Sequence, residues 1–151
     1  MLNSLLPADW LYLERIVRFG ETDSAGVIHF YQLLRWCHES WEESLERYGL
    51  KAADVFPNIL NKEKQPLVAL PIIHCEADFW KPLQTGDHIS IELLPKKISA
   101  GSFQVTFKFK RGDNYVAQAL IQHQAINSQT RSCCELSTKI NSWLAESLCI
   151  D

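Results

Sequence analysis

The sequence predicts an α+β fold in which one long helix packs on an antiparallel sheet. Apolar residues recur at steps of three and four between residues 30 and 48, as on the buried face of a helix. Between residues 67 and 127 several stretches have β-type composition or alternate apolar and polar residues, and short connections separate the later ones. One strand, a long helix and four further strands suit a helix layer against a sheet layer.

The composition is that of a globular protein and argues against several functional classes. The chain has 151 residues, 46% hydrophobic and 22% charged, so we expect one domain over residues 1–151. The net charge of −3 argues against a nucleic-acid partner, which normally requires a basic face. No run approaches the roughly 18 apolar residues of a membrane span, and the N-terminus lacks signal-peptide features, so we expect a cytoplasmic protein.

The motifs suggest neither a metal nor an organic cofactor. The five cysteines are odd in number, include an adjacent pair and lack C-x-x-C spacing, so we expect reduced thiols. His38 and Glu42 are four residues apart, but no third ligand accompanies them, and we expect them on a solvated helix face. No P-loop and no G-x-G-x-x-G motif is present for a nucleotide.

The first strand is predicted over residues 11–19, which are rich in β-branched and aromatic types and end at Gly20. Residues 20–26, GETDSAG, follow with Asp, Ser and Gly, which favour turns and local side-chain capping. We therefore expect a tight acidic turn between the first strand and the long helix.

The long helix is predicted from about Phe30 to Tyr48, with charged residues between the members of its apolar stripe. Cys37 lies on that stripe, which favours a packing role for its thiol. Gly49 is placed to end the helix in the left-handed conformation. A helix of this size is roughly 28 Å long, enough to cross a small sheet.

The second part of the chain predicts four strands and a short helix. After a helical turn and a loop over residues 51–66, the β-type run of residues 67–80 is interrupted by Pro71, which favours an edge strand or a bulge. Residues 88–94 and 103–109 alternate as half-buried strands.

The last elements follow directly. Residues 111–114 are typical of a hairpin loop, and residues 115–127 are long and mixed enough for a central strand. A C-terminal helix is predicted over residues 137–148, with Ser137 as its N-cap.

Asp23 is the candidate for chemistry. It lies three residues before Gly26 and shortly before the first helical amides, those of Ile28 to Tyr31. An aspartate in such a place has an ordinary explanation, because its oxygens cap turns and its charge matches the helix dipole. The alternative is that the carboxylate activates water or attacks a carbonyl while unpaired amides receive the developing oxyanion. The residues alone leave both open.

Two longer runs carry a family resemblance. These are VRFGETDSAGVIHFYQLLRWCHESWEESLERYGL over residues 17–50 and LPIIHCEADFWKPLQTGD over residues 70–87. The D-x-x-G-V turn followed by a long helix resembles the hotdog-fold thioesterases of the 4-hydroxybenzoyl-CoA thioesterase type. The resemblance spans residues 10 to about 130. It implies a hydrolase whose five-stranded antiparallel sheet wraps around one long central helix.

The resemblance also implies roles for residues of the turn. At the position of Asp23 the family has its catalytic carboxylate, and the backbone N–H at the position of Phe30 polarises the thioester carbonyl. His29 is a weaker candidate for orienting substrate or taking a proton. The implied substrate is an acyl-CoA, cleaved without metal or organic cofactor, and the implied assembly is a homotetramer built from dimers that pair at sheet edges.

The longer runs are similar to a cyanobacterial branch of this family, which cleaves a dihydroxynaphthoyl-CoA in phylloquinone biosynthesis. The rivals are a thioesterase for another aryl- or fatty-acyl-CoA and a non-catalytic acyl-CoA binding module. A flat bicyclic acyl group would require aromatic walls, although we expect most of the aromatic side chains in the core. The residues considered are Phe30, Tyr31, Trp36, Trp41, Phe79 and Trp80.

Overall fold

The computed structural model of this protein describes residues 8–58, 60, 63 and 65–148. Its α-helices are α1 (Phe30–Tyr48), α2 (Ala52–Val55) and α3 (Thr138–Leu148). Its strands are β1 (Tyr12–Ile16), β2 (Val68–Ala69), β3 (Ile72–Phe79), β4 (His88–Ser99), β5 (Ser102–Arg111), β6 (Asn114–Gln124) and β7 (Ile126–Asn127). Two short 3₁₀ helices cover Asp9–Leu11 and Phe19–Glu21.

Five of these strands form one antiparallel sheet in the order β1-β4-β5-β6-β3. The strands β2 and β7 pair with each other beside it. The buried residues of α1 and of the central strands share one hydrophobic core. The predicted α+β class is confirmed, and a long helix against a five-stranded antiparallel sheet is the hotdog arrangement.

The helix α1 begins and ends where the sequence predicts. Its buried residues follow the apolar stripe, and Trp36, Cys37 and Trp41 are at most 1% exposed. Gly49 has a φ of +116°, and its N–H donates to the carbonyls of Leu45 and Glu46. The left-handed glycine and these two bonds explain why the helix stops there.

The central strand β5 supplies the most regular part of the core. Its side chains Phe103, Val105, Phe107 and Phe109 are all at most 1% exposed and alternate with partly exposed polar ones. The turn to β6 is a two-residue hairpin, since Arg111 pairs with Asn114 and Gly112 has a φ of +62°. Both predictions are confirmed.

The β-type run of residues 67–80 divides at Pro71, as expected. The part before it forms β2, and the part after it forms β3, which is the outer strand of the main sheet. A register irregularity lies between Ile72 and His74. The sequence offered an edge strand or a bulge as alternatives, and β3 is an edge strand with an irregular register near its start.

The first strand is shorter than the predicted residues 11–19. It ends at Ile16. The Val17 N–H still donates to the Asp87 carbonyl in register with β4, but the Val17 carbonyl accepts from the Gly86 N–H and the Asp87 N–H donates to the Gln84 carbonyl, so the ladder goes no further. Residues 19–21 then form a 3₁₀ turn. The C-terminal helix is capped as predicted, with the Ser137 Oγ accepting a 3.3 Å bond from the Ile140 N–H.

Candidate active site

Asp23 organises a tight turn between β1 and α1. Its N–H donates to the Val27 carbonyl at 2.8 Å, and its carbonyl accepts from the Gly26 N–H at 3.0 Å. The Oδ1 atom accepts a 2.8 Å bond from the Ala25 N–H. Asp23 therefore caps its own turn and not the helix, whose N-cap is His29. Within the described part of the chain, no hydrogen bond is recorded for the Oδ2 atom of this exposed residue.

Backbone hydrogen bonds attach the turn to the start of α1. Thr22 and Ile28 form an antiparallel bridge, and the His29 N–H donates to the Glu21 carbonyl at 3.0 Å. The Ile28 N–H donates to the carbonyl of Leu83 at 2.9 Å. The segment that carries the carboxylate is thus held alongside the segment that opens the helix.

These bonds reduce the number of amides available to a ligand. Of the four predicted donors, Ile28 and His29 already have acceptors, whereas no backbone acceptor among the described residues is recorded for the N–H groups of Phe30 and Tyr31. The next amide, that of Gln32, donates to the His29 carbonyl at 3.0 Å. The free donors are therefore two adjacent N–H groups in the first turn of the helix.

The helix dipole adds to the positive potential at these amides. A helix of this length carries about half a positive charge at its N-terminus, and α1 has no acidic residue in its first turn to offset it. A developing oxyanion at the Phe30 N–H would be stabilised by both effects.

The side chain of His29 lies against the first aromatic residues of the helix. Its ring centroid is 4.6 Å from those of both Phe30 and Tyr31. Its Nδ1 atom is buried and has no hydrogen-bond partner among the described residues. This histidine has an uncommitted polar atom beside the free amides.

Glu21 links the turn to the helix through its side chain, and the sequence pattern did not indicate this role. Its carboxylate accepts a 2.6 Å bond from the Trp36 indole N–H and a 2.8 Å bond from the Arg18 N–H. It also forms an ion pair with Arg15, whose guanidinium lies 4.3 Å from the centroid of the Trp36 ring. Burial favours the neutral acid, but these donors outweigh it and hold the pKa of Glu21 below its ordinary value.

Four of the six aromatic residues expected mostly in the core are exposed, so that expectation was wrong for them. Trp36 and Trp41 are buried. The exposed fractions are 67% for Phe30, 50% for Tyr31, 48% for Phe79 and 53% for Trp80. The physical reason is position. Two of them open the helix, and two lie at the end of the edge strand, where the described part of the chain places no further layer over them.

A cavity of about 660 Å³ lies farther along α1, and no residue between 17 and 31 lines it. Its apolar walls include Trp41, Phe56, Leu67, Val68 and Leu70. His38 also lines it, with its Nδ1 atom 3.2 Å from a Glu42 carboxylate oxygen. The predicted solvated face is thus only partly correct, because Glu42 is exposed whereas His38 is half-buried at the cavity.

His123 packs behind this cavity, against the lining residues Trp41 and Leu70. Its ring is 2% exposed and stacks between Trp41 and Phe103, at centroid distances of 4.6 and 4.9 Å. Its Nδ1 atom lies 2.9 Å from the Leu70 carbonyl oxygen, so the neutral ring donates there. Burial lowers the pKa of His123 to about 4, despite that hydrogen bond. The sequence pattern does not indicate this role, since the alternation of apolar and polar residues does not reveal an aromatic stack.

The comparisons with known proteins identify the family. The model of the thioesterase-like superfamily matches residues 17–146, which include the Asp23 turn, α1 and the strands β2 to β7. The chain belongs to this superfamily. The expected enzyme class is thereby confirmed as that of the thioesterases.

Individual relatives agree in sequence and in structure. A 1,4-dihydroxy-2-naphthoyl-CoA hydrolase from Prochlorococcus marinus strain MIT 9313 is 57% identical over 141 residues, 93% of each chain. A solved structure from the same strain, assigned as a thioesterase, has a TM-score of 0.90 at 56% identity, covering 95% of this chain and 99% of that one. A 1,4-dihydroxy-2-naphthoyl-CoA thioesterase from Synechocystis has a TM-score of 0.79 at 28% identity, covering 90% and 96%. These matches confirm the hotdog fold.

Proposed function

We propose that this thioesterase hydrolyses 1,4-dihydroxy-2-naphthoyl-CoA to 1,4-dihydroxy-2-naphthoate and CoA, a step of phylloquinone biosynthesis. The observation that carries the chemistry is the Asp23 turn, which is hydrogen-bonded to the helix start where the Phe30 and Tyr31 N–H groups are free. The choice of acyl group is supported by the 57% identical relative, which bears that substrate in its name. We include residues 1–151 in one catalytic domain, because the described helices and sheet share a single core.

The Phe30 N–H is proposed to receive the thioester carbonyl oxygen. Attack at the carbonyl carbon places negative charge on that oxygen, and a donor already directed there needs no reorganisation. Loss of one such donor typically reduces the rate by roughly 10²–10³-fold. The neighbouring free N–H of Tyr31 lies in the same turn and would add to the same potential.

Asp23 is proposed as the catalytic carboxylate, by one of two routes. As a general base it takes a proton from water, the water oxygen bonds to the carbonyl carbon, the C–S bond breaks and the CoA thiolate takes a proton. As a nucleophile it forms a mixed anhydride with release of CoA, which water then hydrolyses. After a single turnover in ¹⁸O water, label in the Asp23 carboxylate would establish the nucleophilic route, because only water attack on the Asp23 carbon of an anhydride leaves the label in the protein.

His29 is proposed in a secondary role. Its uncommitted Nδ1 beside the first turn could orient the thioester or protonate the departing thiolate. We therefore expect His29→Gln to reduce turnover less than the loss of the Asp23 charge.

The active assembly is proposed to be a dimer through β3, and a homotetramer of two such dimers. The outer edge of β3 has no strand beside it within the described chain, and Ile72, Ile73 and Phe79 on it are 45–55% exposed. An unpaired edge with exposed apolar side chains favours addition of a second copy. Antiparallel pairing about a twofold axis would bring the start of one β3 beside the end of its partner's.

Such a dimer would join the two halves of the site. The cavity of one copy lies near the start of β3, where Leu70 and Pro71 line it. The exposed Phe79 and Trp80 follow at the other end of the strand. Leu83, shortly after Trp80, accepts the hydrogen bond from the Ile28 N–H, so this end of β3 lies on the side of the Asp23 turn. Pairing would therefore place the cavity of each copy towards the Asp23 turn of the other. Its volume of about 660 Å³ is in the range of small-molecule pockets and suits a flat bicyclic acyl group.

The site of action is proposed to be the cytoplasm. Four of the cysteines, Cys37, Cys75, Cys133 and Cys134, are free thiols, as is usual in a reducing compartment. In the described part of the chain, no helix is long and apolar enough to cross a membrane.

Thiol-release kinetics test the proposed substrate. The naphthoyl-CoA is compared with benzoyl-CoA and a medium-chain acyl-CoA, and the highest kcat/KM is expected for the naphthoyl-CoA. A higher value for one of the others would assign this chain to another acyl group. Tight binding of all three without thiol release would favour the non-catalytic binding module.

A further inference from the structure

We propose that the imidazole of His38, oriented by Glu42, recognises a ring hydroxyl of the aromatic acyl group inside the 660 Å³ cavity. This inference rests on the proposed function and adds a specificity-determining residue to it. It concerns the acyl end of the substrate, away from the reacting carbonyl.

The cavity offers few polar groups for such a role. Gln65 is already engaged, since its side chain bonds both the N–H and the carbonyl of Asn58. The Ser128 hydroxyl donates to the Pro66 carbonyl at 3.0 Å. The two remaining polar residues, Gln129 and Arg131, lie on an exposed loop at the margin. Among the half-buried polar residues that line the cavity, His38 is therefore the one whose side chain is not hydrogen-bonded to backbone atoms in the described part of the structure.

The contact with Glu42 determines what His38 can offer. Its Nδ1 atom lies 3.2 Å from the Glu42 Oε1, one helical turn away. A neutral ring that donates its Nδ1 proton to this carboxylate leaves Nε2 as an acceptor. For that atom no hydrogen bond is recorded in the described part of the structure. A phenolic O–H is the donor that such an acceptor suits.

The surroundings of His38 favour a flat aromatic ligand. Its ring centroid lies 5.6 Å from Trp41 and 6.2 Å from His123. His123 is a poor candidate for the same role, because it is enclosed between two rings and its Nδ1 proton is used on Leu70. His123 packs behind the cavity wall, whereas the His38 side chain lines the cavity itself.

The expected consequence is selectivity for a hydroxylated ring. A polar atom that is paired by one substrate and left unpaired by its analogue discriminates between them. Because His38 is half-buried and not enclosed, we expect a moderate effect of about 10- to 100-fold in kcat/KM.

The test compares 1,4-dihydroxy-2-naphthoyl-CoA with 2-naphthoyl-CoA, which has the same ring system without hydroxyls. His38→Phe should lower kcat/KM for the hydroxylated thioester by about 10- to 100-fold and change the other by less than about threefold. Glu42→Gln should cause a smaller loss of the same preference. His88→Phe, at an exposed position on β4, is the matched control and should change neither value. His38→Leu serves if the Phe variant does not fold.

If His38→Phe lowers kcat/KM equally for both thioesters, or for neither, the inference is overturned. The proposed function is still supported in that case, provided that the wild type turns over the naphthoyl-CoA. If the wild type cleaves neither thioester, the proposed function fails, and equilibrium binding decides the inference alone. In that case 1,4-dihydroxy-2-naphthoate and 2-naphthoate are titrated against the wild type and His38→Phe. A preference for the hydroxylated acid that the variant loses supports the role of His38, and an unchanged preference refutes it.

Discussion

The Trp36 indole N–H donates a 2.6 Å hydrogen bond to the carboxylate of Glu21. This bond joins the second turn of α1 to the segment just before Asp23, and the His29 N–H reinforces the link by donating to the Glu21 carbonyl. The position of the candidate carboxylate relative to the free amides therefore depends on a buried tryptophan in the second turn of the helix.

Trp36→Phe tests that link. The variant keeps a ring in the core but leaves the Glu21 carboxylate without one donor, so we expect the free energy of unfolding to fall by about 1–3 kcal/mol. For a chain of this size that corresponds to roughly 2–10 °C in Tm. Trp10→Phe is the control, because it removes a neutral indole bond to the Ser147 hydroxyl and should cost about 0.5–1.5 kcal/mol. Equal costs for the two variants would refute the special role of the Glu21 contact.

Phe30→Pro tests the oxyanion donor without rebuilding the site. Phe30 is the first residue of α1, where proline is favoured, and His29 already has the extended backbone that precedes proline, with φ −69° and ψ 140°. The substitution deletes the N–H with little expected cost to the helix, and kcat should fall by roughly 10²–10³-fold.

Phe30→Ala is the control for that variant, since it removes the exposed ring and keeps the N–H. It should retain most of kcat. A folded Phe30→Pro protein with the turnover of Phe30→Ala would exclude the Phe30 amide as the donor.

The buried His123 predicts a dependence of stability on pH. The pKa of His123 is about 4 in the folded protein, below the ordinary value of 6.5. Between pH 4 and pH 6.5 this histidine is therefore protonated in the unfolded chain but neutral in the folded protein. Stability should therefore be complete above pH 6.5 and fall as the pH is lowered towards 4, by about 3 kcal/mol in total. The nearby His38 contributes, since a charge there further disfavours protonation of His123.

His123→Phe should flatten this part of the profile, measured by urea unfolding between pH 7 and pH 4.5. His88→Phe, at an exposed position, should keep the wild-type slope. An unchanged slope in the His123 variant would show that another group titrates there.

Ile73→Arg tests the proposed dimer. Ile73 is 55% exposed on the edge strand, and a charge on this strand should prevent pairing of two sheets. Sedimentation should show smaller species than the proposed wild-type tetramer, and turnover should fall with the loss of pairing, because each cavity is proposed to serve the other copy. Ile98→Arg, at a similarly exposed position near the end of β4, should leave the assembly unchanged. An unaltered tetramer in the Ile73 variant would contradict pairing through β3.

The fold could be predicted from the sequence because its main elements have simple signatures. The apolar stripe predicted α1 from about Phe30 to Tyr48, as observed, and the alternation of residues 103–109 predicted β5. The break at Pro71 marked the edge strand. The strand before the turn was overestimated, since its ladder ends where the Gly86 N–H donates to the Val17 carbonyl, a contact between residues far apart in sequence.

The site could be predicted only in part. Asp23 and the range of candidate amides follow from a local motif, whereas the bonds that leave Phe30 and Tyr31 free involve Leu83 and Glu21. The roles of Glu21 and His123 depend on contacts with other elements that no local pattern encodes. The exposed aromatic residues misled the prediction because hydrophobicity does not distinguish a core from an interface.

The most direct test of the account is thiol release from 1,4-dihydroxy-2-naphthoyl-CoA by wild type and Asp23→Asn. The asparagine keeps the shape of the side chain and an oxygen for the Ala25 N–H, so the turn should persist while the charge is lost. Asp113→Asn, in the hairpin between β5 and β6, is the matched control and should keep wild-type turnover. We predict that kcat of the Asp23 variant falls by about 10²–10⁴-fold with an unchanged circular-dichroism spectrum. A folded Asp23→Asn protein with near wild-type kcat would contradict the account.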